Sequence, residues 1–155
     1  MAALAVALAA ILGNSAAQDV LSCRSGQDAI ARGAFSTALS HLTRCLENEG
    51  LSMRSVAAAL HLRAMAHAST GEPLKAAGDY RRSLGIRPPE IAWDLIPLGI
   101  YLRRALSHDA MGERDKARTD LAKAIEIGRE RGLDPASAPD EYRAKFVEYG
   151  LIPEK

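Results

Sequence analysis

Two cysteines and four histidines are the residues of this 155-residue chain most able to do chemistry. Cys23 and Cys45 each lie eleven positions from Ala34. If the chain turns back on itself at Gly33-Ala34 as two helices, residues placed symmetrically about the turn face each other. Cys23, Gly26 and Ile30 then share one face of the first helix, and Ala38, Leu42 and Cys45 the opposing face of the second. The pattern predicts a disulfide that closes the first hairpin, provided the chain reaches an oxidising compartment. Two other fates stay open for these residues. They serve as reduced core cysteines, or Cys23 is acylated, since Val20-Leu21-Ser22-Cys23 faintly matches a lipoprotein cleavage site. Acylation would consume the thiol and exclude the bridge.

The histidines are His41, His61, His67 and His108. None forms the i, i+4 pair with a nearby carboxylate that a helical zinc site requires. There is no Cys-x-x-Cys, no Gly-rich loop opening a helix after a strand and no nucleophile elbow. The carboxylates read as scattered over exposed helix faces. Nucleophile, base and oxyanion donors do not converge, so neither catalysis nor a cofactor nor a metal is expected. The net charge of +1 gives no reason to expect nucleic acid or a membrane surface as partner.

The elements that would position these residues are helices. Few aromatics and abundant Ala suit closely packed helices better than a sheet. The stretch Ala57 to Pro88 reads as a helical hairpin. Leu60, Ala64 and His67 recur on one helical face, Gly71 supplies the turn, Pro73 opens the second helix, and Ala76, Tyr80 and Ser83 form its stripe before Pro88-Pro89 stops it. The same mutual spacing recurs upstream in Gly26, Ala29, Gly33, Phe35, Ala38, Leu42 and Cys45. It recurs downstream in Tyr101, Ala105, His108, Gly112, Ala117, Leu121 and Ala124.

This threefold pattern resembles the tetratricopeptide repeat, and small exported bacterial proteins of that family in particular. Pro73 and Ser83 depart from it, where an aromatic and Ala are usual. The resemblance implies an all-α, right-handed superhelical solenoid of about three hairpins, at 19–50, 53–88 and 94–131 within residues 18–134, with a C-terminal capping helix in 135–155. It also implies a non-catalytic scaffold whose first helices line a groove for a peptide or protein, with no small-molecule substrate. Carried over position by position, the groove residues are Arg24 and Gln27 in the first unit, His61, Leu62 and Met65 in the second, and Leu102, Arg103 and Leu106 in the third. The family's carboxylate clamp is not reproduced, because Leu62 stands where Asn is usual and only Arg103 matches a clamp residue. Leu62, Met65, Leu102 and Leu106 line an open groove or lie under the C-terminal helix or the insertion. The different role weighed against partner binding is structural, a lipid-anchored or self-associating module stacked end to end.

The remaining segments extend this picture. Met1 to Leu12 is an unbroken apolar run, too short to span a bilayer, followed by the small residues Gly13 to Ala17. Residues 1–17 therefore read as a secretory signal cleaved after Ala17, although no Lys or Arg precedes Asp19. Either Met1 is not the natural start or the α-amine supplies the charge. Periplasmic or secreted residence follows, with an envelope lipoprotein or a cytoplasmic protein as the alternatives; a membrane enters only if Cys23 is lipidated. Ser52 reads as an N-cap after the stop at Glu47 to Gly50. An insertion at Gly85 to Pro97 carries the single tryptophan, Trp93, as core filler or partner anchor, and Asp94 as the cap of the next helix. A long charged helix at Glu113 to Arg131 and a last helix, capped by Ser137, bearing Tyr142, Phe146, Val147 and Tyr149 and ended by Gly150, complete the chain.

Overall fold

A computed structural model describes residues 21–86 and 96–154. The leader at 1–17, Trp93, the Pro88-Pro89 stop and the Asp94 cap lie outside the described residues. Within them the chain is helical: α1 (21–31), α2 (Phe35–Leu46), α3 (Met53–Ser69), α4 (Pro73–Gly85), α5 (Ile96–Ala110), α6 (Arg114–Arg129), a 3-10 turn (Pro135–Ser137) and α7 (Asp140–Glu148). From α2 to α6 each helix packs on its neighbours in sequence. Three hairpins are thereby stacked in chain order, the arrangement in which no hairpin buries its face alone.

The hairpin turns follow one local rule. Gly33, Gly71 and Gly112 have φ of 70°, 77° and 73°, a left-handed conformation that a Cβ disfavours. In each case the next residue donates its N–H back into the first helix, Ala34 to Ala29, Glu72 to His67 and Glu113 to His108, at 2.8–2.9 Å. These bonds satisfy carbonyls that the helix end would otherwise leave unpaired. Pro73 then occupies the first turn of α4, where its missing N–H costs nothing. Ser52 caps α3 by accepting the Ser55 N–H at 3.1 Å.

Small residues set the packing. Ala29, Ala38, Ala64, Ala76, Ala105 and Ala117 are at most 1% exposed, so the helix backbones meet closely. Gly26 sits where the other first helices carry Ala64 and Ala105, and an added Cβ there would lie 2.6 Å from Leu42 Cγ. Leu42, Tyr80 and Leu121 occupy the same place in successive hairpins and are all essentially buried.

Two expectations are corrected. Ser137 does not cap the last helix. The carboxylate of Asp134 accepts the Ala136 N–H at 2.9 Å and starts the 3-10 turn ahead of Pro135, so Ser137 falls inside it. Pro139 then holds Ala138 extended (ψ 154°), and α7 begins only at Asp140. Nor are the carboxylates all on exposed faces: Asp79 and Asp120 are 6% and 4% exposed.

Candidate partner-binding surface

The first helices place equivalent residues in rows. One row is Arg24, Leu62 and Arg103, from α1, α3 and α5. Arg24 and Arg103 are exposed, and Leu62 is half-buried against the core of the first hairpin. Neither arginine has an ion-pair partner among the described residues. A second row is Gln27, Met65 and Leu106, exposed at Gln27 and half-buried at the other two.

The third row is Cys23, His61 and Leu102, and it faces inward. Cys23 is joined to Cys45. The bond ties α1 to α2 and uses the thiol that acylation would need. His61 packs its ring against Tyr80 at 5.8 Å between centroids, and its Nδ1 is buried without a hydrogen-bond partner. Burial, reinforced by the Arg103 charge, lowers its pKa to about 4, so the imidazole is neutral at physiological pH. Burial likewise raises the Tyr80 phenol, and the Arg103 charge opposes that rise.

Leu102 does not belong to the groove. It is 8% exposed and shares a core with Leu121, Ile125, Phe146 and Tyr149. The cause is α7, which folds over the last hairpin. Lys145 pairs with Asp109 of α5 at 2.6 Å and Tyr149 donates its hydroxyl to the same carboxylate. Arg114 of α6 reaches Glu148 at 3.1 Å and lies 4.6 Å over the Tyr149 ring. Lys145 and Tyr149 together hold the Asp109 carboxyl below the usual carboxylate range. The terminal helix thus covers Leu102 and leaves Arg103 exposed. Tyr142 of α7 is close enough to Arg103 for the guanidinium charge to act on its phenol, which burial raises.

Behind this surface stands a feature that a linear reading misses. Arg63 grips Asp79 and Arg104 grips Asp120, each pair 16 residues apart and each through two hydrogen bonds of 2.6–2.9 Å. His67 meets Glu72 and His108 meets Glu113 at 2.7 and 2.6 Å, each five residues apart. The signal was present as an Arg and an Asp, and a His and a Glu, recurring at fixed separation in two successive hairpins. The first hairpin has Ser25 and His41 at the Arg and Asp positions and carries the disulfide instead. Among the described residues no group of three metal-ligating side chains converges. No described helix is long and apolar enough to cross a membrane.

The architecture matches a solved one. A crystal structure of the Sgt2 TPR domain from Aspergillus fumigatus superposes with a TM-score of 0.55 at 21% identity, over 89% of this chain and 86% of that domain. The fold is that of a tetratricopeptide-repeat domain. At that identity the likeness speaks for the fold alone. No family model matches the sequence, and no curated protein does. The tetratricopeptide-type rows explain why equivalent positions in α1, α3 and α5 behave alike except where the disulfide or α7 intervenes.

Proposed function

We propose that this chain is a non-catalytic protein-binding module of a bacterial cell envelope, with Arg24, Gln27, Leu62, Met65, Arg103 and Leu106 as its binding surface. The observation that carries the reading is the contrast between α5 positions. Leu102 is covered by the chain's own last helix, while Arg103 beside it stays exposed, without an ion pair among the described residues, and Leu106 is only half-buried. A surface kept open on a fold of stacked hairpins suits a peptide or a protein segment. Export is supported by the apolar run ahead of Gly13 to Ala17 and by the Cys23–Cys45 bond, which persists in an oxidising compartment.

Two experiments test the two halves. Substituting Leu62→Glu with Leu106→Glu abolishes capture of an envelope partner while circular dichroism retains the helical signal; unaltered capture removes the groove. The intact mass of protein from its own host begins at Gln18 and rises by two hydrogens on reduction. An uncleaved chain with two free thiols sinks the export reading.

A further inference from the structure

We propose that the surface of α1, α3 and α5 recognises an acidic segment of its partner, with carboxylates against Arg24 and Arg103 and an aliphatic side chain between them over Leu62 and Met65. This rests on the protein-binding reading and adds the chemistry of the ligand. The chain is nearly neutral overall, but its charges are segregated. Helix α3 contains no acidic residue. The α1 span has Asp28 as its sole carboxylate, and α5 has Asp109, already engaged by Lys145 and Tyr149. Against these stand five arginines, Arg24, Arg54, Arg63, Arg103 and Arg104. Arg63 and Arg104 are consumed by Asp79 and Asp120.

The arginines left over on these helices, with no ion pair among the described residues, are Arg24, Arg54 and Arg103. Two of the three fall at the same repeat position, with Leu62 between them. By contrast α6 satisfies much of its own charge, as in Lys123 with Glu126, and pairs Lys116 with Glu113 at its start. Single guanidiniums separated by an apolar patch do not form the continuous cationic track that a phosphate backbone needs. A clustered chain terminus would also leave one of the two arginines unmatched. Carboxylates spaced along a segment match both. Helix axes pack about 8–10 Å apart, so Arg24 and Arg103 lie on the order of 20 Å apart, and an extended chain covers that in about six residues.

The test is selection of a displayed library of random peptides, about twelve residues long so that they span both arginines, on the full disulfide-bonded chain. Synthetic hits and their Glu→Gln, Asp→Asn versions are then measured by fluorescence anisotropy at low and high salt. The expected result is enrichment of Asp or Glu at a separation of about six, with an aliphatic residue between. Binding should fall by about tenfold in Arg24→Gln or Arg103→Gln, with a shallower salt dependence and unaltered thermal unfolding. Hits without acidic residues, indifferent to both Arg variants but lost in Leu106→Glu, overturn the acidic ligand and leave the groove standing. No enrichment at all overturns both.

Discussion

Arg63 and Asp79 are locked by two parallel hydrogen bonds, Nε to Oδ2 at 2.7 Å and Nη2 to Oδ1 at 2.9 Å, with the Asp79 side chain 8% exposed. The same guanidinium reaches Thr43 at 3.4 Å, so one residue of α3 ties α2 to α4. Arg104 and Asp120 repeat the device between α5 and α6. Removing only the arginine strands a buried carboxylate, a loss of about 3 kcal/mol. Urea unfolding of Arg104→Ala should show that loss, whereas the double change Arg104→Met with Asp120→Leu should come close to wild type. A double variant as unstable as the single one would mean that the pair contributes net stability beyond mutual neutralisation.

Gly26 is a close-approach glycine. Its Cβ would meet Leu42 Cγ at 2.6 Å and Cδ2 at 2.7 Å, and Leu42 is fully buried. Gly26→Ala should gain about 1 kcal/mol of helix propensity and lose more to overpacking, for a net cost of about 1–2 kcal/mol. A rise in thermal midpoint would show that Leu42 repacks freely. The reverse change at the equivalent site, Ala64→Gly, should destabilise through backbone entropy and through the loss of a fully buried methyl, by about 1–2 kcal/mol in all.

His61 should make stability depend on pH. Burial lowers its pKa from 6.5 to about 4, so between those values the unfolded chain binds a proton that the folded chain does not. This group's contribution is fully present above pH 6.5, declines as pH falls through about 4, and is level below. The total is on the order of 3 kcal/mol. His61→Leu, which copies Leu102 at the equivalent position, should flatten the difference between pH 7 and pH 4 in chemical unfolding and relieve the unpaired Nδ1. Parallel pH profiles for the two proteins would contradict the assignment.

Reduction of the Cys23–Cys45 bond should cost about 3 kcal/mol, because it releases a closed loop with a sequence separation of 22 residues. The loss should localise to α1 and α2 in hydrogen exchange, since the other hairpins are held by Arg63–Asp79 and Arg104–Asp120. Uniform loss of protection across α3 to α6 would instead indicate that the stack unfolds as one unit.

Phe146 is 3% exposed in the core shared by α5, α6 and α7. Phe146→Ala should cost about 3–4 kcal/mol and uncover Leu102, raising binding of a hydrophobic dye. Unchanged dye binding would mean that Leu102 stays buried when α7 is loosened.

What the sequence alone determined is local. The hairpins followed from Gly33, Gly71 and Gly112, from Pro73 and Ser52, and from small residues recurring at helical period, because turn conformation and capping depend on a handful of adjacent residues. Symmetry about one turn likewise placed Cys23 opposite Cys45, while the bond itself, against reduced or acylated cysteines, came from the structure. The tertiary structure decided what local rules cannot express. An aspartate on a helix reads as solvated until another helix brings an arginine to it, so Asp79 and Asp120 changed from surface residues to buried anchors. Leu102 and Leu106 lie one turn apart on α5 and look alike in sequence. Which of them is core depended on where α7 folds back, a closure set by Asp109, Lys145 and Tyr149 across more than thirty residues of chain. Periodicity specifies a face of a helix, and only packing specifies what covers it.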